Sequence, residues 1–202
     1  MKERLEEVLD RNVSRETLAK LILYQRMLQD EADRQNLVSR GTLGEFWERH
    51  VIDSAQLLRF APSNAAWVDI GAGAGLPGIV IACFAEGPVT LIEPRRLRAD
   101  FLHRVNESLA LGAKIVCAKA EQVQGSYDVL TARAVASLER LFEISAHLST
   151  RKSLWVLPKG RNAQSEVEAA QRAWQGRFHV EPSVTDADSG IVVATEVKAR
   201  GR

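Results

Sequence analysis

Two cysteines stand in a chain of 202 residues, Cys83 and Cys117, both inside apolar runs. A pair so placed reads as core residues and excludes a disulfide framework. The four histidines are scattered, so no metal-ligand spacing forms and no metal is expected. No apolar run approaches the roughly 20 residues of a membrane helix. The opening Met1-Lys2-Glu3-Arg4-Leu5-Glu6-Glu7 is too charged for a signal peptide. A soluble, cytoplasmic protein with no membrane partner is the expectation. An excess of charge of one sign is also missing: 27 Lys and Arg against 26 Asp and Glu leave a formal net charge of +1. Binding to nucleic acid therefore needs a local basic patch. Repeats and low-complexity tracts do not occur.

What is present is an ordinary globular composition, 46% hydrophobic and 26% charged, at a length suited to one domain with an appendage. Residues 1–60 read as helices. Ser14 is placed to cap a segment whose Leu18, Leu21, Ile22 and Leu28 share a face. Thr42-Leu43-Gly44-Glu45 has the capping-box spacing, and Trp47, His50, Val51, Ser54, Leu57 and Leu58 follow at helical period. His50 falls on that buried face, as a satisfied core histidine or as a ligand. Asn36-Leu37-Val38-Ser39-Arg40-Gly41 reads as a polar turn between the helices. The expectation is a helical extension at 1–60 packed on a core domain at 61–202.

From 65 the pattern alternates. Strands are expected at 65–70, 88–93, 114–118, 127–132 and 153–158, with helices near 77–86, 95–111, 137–148 and 163–174. Such alternation predicts a parallel sheet covered on both faces. The tail departs from it. Arg177-Phe178-His179-Val180-Glu181 and Ile191-Val192-Val193-Ala194-Thr195 are strand-like but only nine residues apart. A parallel crossover needs about a dozen residues or more, so these form an antiparallel hairpin around Asp186-Ala187-Asp188-Ser189-Gly190. The expected fold is α/β and Rossmann-like, a mostly parallel seven-stranded sheet with a terminal antiparallel hairpin and N-terminal helices.

The chemistry centres on Trp67-Val68-Asp69-Ile70-Gly71-Ala72-Gly73-Ala74-Gly75-Leu76-Pro77-Gly78, an apolar strand, a glycine loop and a proline-led helix start. Glycines at 71, 73 and 75 suit a tight turn against a nucleotide. Gly73 to Gly78 fits G-x-G-x-x-G, a weak signal alone. Asp69 decides between ligands: a carboxylate there repels a dinucleotide's pyrophosphate, and attracts the cationic amino group and sulfonium of S-adenosylmethionine. The acid-x-Gly-x-Gly-x-Gly pattern and the terminal hairpin resemble the class I S-adenosylmethionine-dependent methyltransferases.

Ligands of an open parallel sheet bind outside the strands' carboxyl ends. Five features fall there: the glycines, Glu93 for the ribose hydroxyls, Ala120-Glu121 for an adenine edge, Arg133, and Lys159-Gly160-Arg161. Each has a plainer alternative, as a surface pair of Glu93 with Arg95 or Arg96, a loop carboxylate, a bridge from Arg133 to Glu139, or solvated loop charges. Arg95, Arg96, Arg98 and Arg104 begin the helix after Glu93, where cations oppose the helix dipole. With Arg133, Lys159 and Arg161 they read either as a positive rim for RNA or as a solvated face.

These residues together resemble the bacterial 16S ribosomal RNA guanine-N7 methyltransferases, the glucose-inhibited division protein B family. Asn36-Leu37-Val38-Ser39 is similar to the family's Asn-Leu-Thr-Ser turn, and Arg49-His50-Val51-Ile52-Asp53-Ser54 to its Arg-His-Ile-Leu-Asp-Ser helix. Asp69 to Gly78 matches its glycine loop, Arg95-Arg96-Leu97-Arg98 with Phe101-Leu102 its basic helix, and Arg133-Ala134-Val135-Ala136-Ser137-Leu138 its arginine motif. Val38 and Ala132 depart from the usual threonine and serine, and Lys159-Gly160 completes the set. The resemblance implies methylation of a guanine in the 530 loop of 16S rRNA in the small ribosomal subunit, and a monomeric enzyme is expected. It implies a cofactor pocket using Gly71, Leu76, Ala120, Glu121 and Arg133.

Two absences agree with N7 chemistry. No Asn/Asp-Pro-Pro-aromatic motif follows the fourth strand, and no Pro-Cys nucleophile exists. Guanine N7 carries an in-plane lone pair, so no general base is needed and Arg133 is expected to act by positioning. The alternatives are an NAD(P)-dependent oxidoreductase and a non-catalytic RNA-binding module.

Overall fold

A computed structural model describes residues 1–32, 34, 35, 37 and 44–201. Apart from Leu37, the expected turn at 36–41 lies outside the described residues, as does the Thr42 cap. After α1 (Lys2–Leu9), the Ser14 hydroxyl accepts the Thr17 N–H at 2.9 Å and starts α2 (Arg15–Ala32), as its sequence position predicts. The next helical stretch, α3 at 47–60, is wound three ways: a π stretch Trp47–Ile52, an α turn Asp53–Ala55 and a 3₁₀ turn Gln56–Phe60. The face read from its period is the buried one, carrying His50, Val51, Ser54 and Leu57.

The sheet strands are β1 (Trp67–Ile70), β2 (Val89–Ile92), β3 (Lys114–Val116), β4 (Val129–Thr131), β5 (Leu154–Lys159), β6 (Trp174–Pro182) and β7 (Gly190–Ala199). Their order is β3-β2-β1-β4-β5-β7-β6, parallel throughout except that β7 runs against both neighbours. The expected hairpin is therefore present, with Asp186 turning the chain by accepting the Asp188 N–H and the Ser189 hydroxyl. Between strands run α4 (Gly78–Phe84), α5 (Arg96–Ser108), α6 (Leu138–Ser145) and α7 (Ala163–Ala170).

Strand residues alternate between two buried layers. Trp67, Leu91, Val129 and Val156 face the layer shared with α1 to α5, while Val68, Ile92, Leu130 and Trp155 face α6 and α7. Burial on both faces is why these strands read as unbroken apolar runs. The N-terminal helices share one core with the sheet. Fully buried Trp67, Trp155, Tyr24, Phe101 and Phe142 each contribute about 1.5–3 kcal/mol by leaving water.

Two expectations need correction. The helix placed at 163–174 ends at Ala170, because Trp174 is taken into β6, where its ring packs 5.5 Å from Phe142. β6 is an edge strand whose outer residues are exposed, which blurs the alternation that marks a strand. Cys117 lies exposed after β3 rather than in the core, since the sheet's other edge leaves its side uncovered. Among the described residues no helix is long and apolar enough to cross a membrane.

Candidate active site at the carboxyl edge of the sheet

β1 delivers Asp69 into the layer beneath α4, beside Leu91 of β2 and Thr131 of β4. Its Oδ2 accepts the Gly78 N–H at 2.8 Å and so holds the first turn of α4. A Cβ at Gly78 would lie 2.6 Å from that oxygen, so only glycine lets strand and helix approach this closely. Asp69 is 1% exposed, and burial pushes its carboxyl up to about 7 despite the Gly78 bond and the Arg133 charge. Asp69 Oδ1 and the neighbouring Thr131 hydroxyl are both buried with no partner among the described residues. The acid expected to face a cationic ligand thus spends one oxygen on the helix and keeps the other.

The loop from Gly71 to Gly75 rises above this layer. Gly71 has φ +69°, and a Cβ there would lie 2.7 Å from Val135, which covers it from the loop after β4. Gly73 donates its N–H to Glu93 Oε2 and Arg95 donates its own to Oε1, both at 2.8 Å. Glu93 is buried, and its partners are backbone groups rather than the arginine side chains of the plainer reading. Each carboxylate oxygen has two lone pairs, so a second acceptor site remains on each. Leu76 is buried in the loop wall, and Tyr24 from α2 donates its hydroxyl to the Ala74 carbonyl at 2.8 Å. Ala120, itself buried, begins a 3₁₀ turn after β3 whose Glu121 is exposed and lies 3.7 Å from Arg140.

Arg133 continues the β4 direction past Thr131 and meets α3. Its Nη1 donates to the Arg49 carbonyl (3.3 Å) and to Asp53 Oδ2 (3.4 Å), and its Nη2 lies 3.3 Å from His50 Nδ1. The bridge to Glu139 does not form; Asp53 takes that place. Burial, then the Arg133 charge, lowers His50 to about 4, so its ring is neutral near pH 7 and can accept from the guanidinium. A guanidinium has five N–H donors, and three are used here, which leaves two for a ligand. Asp53 Oδ1 in turn accepts from Gln56 and from Thr185 of the β6–β7 connection.

Beyond Arg133 opens a cavity of about 700 Å³, walled by the loop 133–137, the end of β5, and Ser183, Ser189 and Gly190 of the hairpin. Lys159, expected on an RNA-facing rim, turns inward instead. Its Nζ donates to the Ala136 carbonyl at 2.8 Å and to Glu166 Oε2 at 2.9 Å, because the loop after β4 leaves a carbonyl there that needs a donor. Arg161 is 77% exposed and pairs with Asp188 at 3.0 Å. Arg95 and Arg96 are exposed, Arg96 pairing with Asp100, while the Arg98 guanidinium approaches the Gly73 position. Arg104 joins Glu31 of α2 at 2.6 Å and so braces the helical layer.

Read alone, the sequence leaves the roles of His50 and Asp53 open, and Tyr24 and Glu166 are not among the residues it places at the site. The signal for the first two was their three-residue spacing on one helix face. For Glu166 it was an acid in the first turn of the helix after Lys159.

A family model described as GidB, rRNA small subunit methyltransferase G, matches residues 17–190. The chain belongs to this family. Ribosomal RNA small subunit methyltransferase G of Zymomonas mobilis is 43% identical over 195 residues, covering 92% of this chain and 88% of that one. The Sphingopyxis alaskensis protein of the same name is 44% identical over 186 residues, covering 90% and 80%. Among solved structures, a TehB-like SAM-dependent methyltransferase from Corynebacterium glutamicum superposes with TM-score 0.58 at 15% identity, covering 84% of this chain and 97% of that one. M. jannaschii TYW2 in complex with AdoMet gives 0.57 at 13%, covering 81% and 78%. At such identities these two speak for the fold, which is that of the class I methyltransferases.

As a member of this family the chain is an rRNA methyltransferase, and the methyl donor expected from its sequence is S-adenosylmethionine. Its residues fit that cofactor. The glycine loop is a cradle that a Cβ at Gly71 would fill, Asp69 Oδ1 is an orphaned buried acceptor beneath it, and Glu93 has acceptor capacity left at the end of β2. The dinucleotide oxidoreductase and the non-catalytic RNA module find no support.

Proposed function

We propose that this methyltransferase modifies N7 of a guanine in the 530 loop of 16S rRNA, on the small ribosomal subunit, as a cytoplasmic monomer. One observation carries the reading. Val135 lies against Gly71 on one side, and on the other it lines, with Arg133, a cavity with room for a base. Cavities of about 300–1,000 Å³ are the ordinary size of small-molecule sites. The donor's place is the glycine loop, and the acceptor's place is across the arginine loop.

Gly71, Gly73, Gly75 and Leu76 form the cradle for S-adenosylmethionine in this reading. Glu93 takes the ribose hydroxyls on its spare lone pairs, Ala120 and Glu121 edge the adenine, and Asp69 supplies negative charge beneath the amino acid end. Bound there, the cofactor supplies a sulfonium methyl open to attack by a lone pair. The protein moves no proton, since N7 has none to lose. Arg133 offers its two remaining N–H donors to guanine O6 or the donor carboxylate. A donor aimed at N7 would occupy the attacking lone pair, so the arginine holds the base without covering N7. The loop of Val135 and Ala136 excludes water from the line of transfer. Arg95, Arg96, Arg98 and Arg161 give the RNA backbone its positive rim, and Lys159 fixes the loop after β4 rather than reaching out.

Small subunits and free 16S rRNA lacking the modification test this reading when incubated with enzyme and radiolabelled cofactor. Borohydride reduction followed by aniline scission cuts RNA at N7-methylguanosine. A cut in the 530 loop is expected, with faster labelling of subunits than of free rRNA. Label without a cut there overturns the assignment of N7 or of the loop. Sedimentation at assay concentration checks the monomer.

A further inference from the structure

We propose that Glu166 is the residue that reads the target base as guanine, its Oε1 accepting from the base's N1–H and 2-amino group. This deepens the guanine-N7 reading above and rests on it. Glu166 lies in the first turn of α7 and faces the cavity that Arg133 bounds. The cavity has two carboxylates in its wall, and in one of them both oxygens already have partners. Asp53 gives Oδ1 to Gln56 and Thr185 and Oδ2 to Arg133.

Glu166 is committed on one oxygen only. Oε2 accepts the Leu138 N–H at 3.0 Å and the Lys159 ammonium at 2.9 Å, while Oε1 has no partner among the described residues. Lys159 is itself held by the Ala136 carbonyl, and its side chain is 11% exposed. The carboxylate is therefore fixed in place, with its side chain 28% exposed and one acceptor uncommitted among the described residues.

Base chemistry says what fits. Guanine presents two donors on its Watson–Crick edge, N1–H and the 2-amino group, beside the O6 acceptor. A carboxylate accepts and never donates, so it matches that edge and repels the N1 lone pair of adenine or the N3 lone pair of cytosine. With Glu166 on N1–H and the 2-amino group and Arg133 on O6, each polar group of the Watson–Crick edge has a partner and N7 stays open. Positive and negative walls of one cavity are arranged for the one base whose edge carries both an acceptor and a pair of donors.

The test is a cycle of two enzymes and two bases. Wild-type and Glu166→Gln enzymes act in single turnover on subunits reconstituted with guanosine or inosine at the target position. Inosine lacks only the 2-amino group. Glutamine must put its carbonyl oxygen where two donors already point, so its NH2 faces the base. Wild type is expected to methylate guanosine about tenfold or more faster than inosine, the range for one hydrogen bond to a charged group. E166Q is expected to be slow on guanosine and to bring the two rates together. The intrinsic difference in N7 reactivity between the bases cancels in the ratio of ratios. An unchanged ratio in E166Q, with both rates lowered, makes Glu166 only a brace for Lys159 and overturns the proposal. Equal use of both bases by wild type overturns it too. Absence of N7 methylation on guanosine by wild type overturns the reading beneath it. Cofactor affinity and thermal melting of E166Q confirm the fold. If that variant unfolds, Glu166→Asp, which keeps the charge and withdraws the oxygen, must likewise shift the ratio.

Discussion

The two halves of the carboxyl edge are built differently. On the half proposed for the cofactor, buried acids accept backbone N–H groups: Asp69 takes Gly78, and Glu93 takes Gly73 and Arg95. On the half proposed to face the base, acids meet cationic side chains: Asp53 meets Arg133, and Glu166, which also accepts the Leu138 N–H, meets Lys159. A carboxylate bonded to backbone makes a rigid cradle whose shape does not depend on side-chain rotamers. One bonded to arginine or lysine holds a cation in place while leaving donors or acceptors for a ligand. The first kind suits a cofactor that is the same in every turnover, and the second suits recognition of one base among four.

The largest expected effect breaks the base-facing half. Arg133→Ala should lower single-turnover methylation by about a hundredfold or more, equivalent to roughly 2–4 kcal/mol for a lost alignment contact. Arg133→Lys should fail nearly as badly, because a point charge cannot span Asp53, His50 and a ligand with one planar fork. Near-wild-type turnover by Arg133→Ala would confine the residue to bracing α3.

Next in size, Glu93→Ala breaks the cofactor half. It should weaken S-adenosylmethionine binding by about 1–3 kcal/mol with little change in RNA affinity. An unaltered dissociation constant in calorimetry would leave Glu93 as a brace of the glycine loop alone.

A pH series sharpens the comparison, since the halves carry opposite shifts. Asp69 is raised to about 7, so between about 4 and 7 the folded state binds more protons than the unfolded state, and its contribution to stability falls as pH rises. His50 is lowered to about 4, so between about 4 and 6.5 the unfolded state binds more protons, and its contribution rises with pH. The two nearly cancel in wild type. In urea melts across this window, Asp69→Asn should gain stability with pH relative to wild type, and His50→Gln should lose it. Each slope should differ from wild type by about 1 kcal/mol per pH unit. Parallel curves for the three proteins would show that neither group titrates as its burial demands.

The smallest effect on stability lies outside both halves. Reversing Arg95 and Arg96 to glutamate should change stability by no more than about 0.5 kcal/mol, as both are exposed. It should weaken RNA binding and flatten its salt dependence while sparing the cofactor. Equal salt slopes for variant and wild type would make this face merely solvated.

Much of the fold was legible because its signals are local. The glycine loop, the apolar strand runs and the nine-residue gap before the last strand each constrain only a few neighbouring residues, and each predicted its element. The end of α7 was misread because Trp174 is drawn into β6 by Phe142, a residue 32 positions away in the chain. Cys117 was misplaced because an apolar run looks the same beside a covered strand and at an uncovered edge.

The sequence by itself determined the order of strands and helices along the chain, the place of the glycine loop and which charges reach the carboxyl edge, since each parallel strand must end there. Only the tertiary structure decided what each charge does. Whether Lys159 faces RNA or Glu166, whether Arg133 meets Glu139 or Asp53, and which oxygen of Glu166 stays open depend on contacts between α3, the loop after β4 and α7. Partners so distant in the chain have no common periodicity to betray them, and burial then commits each polar group to whichever partner the packing brings within reach.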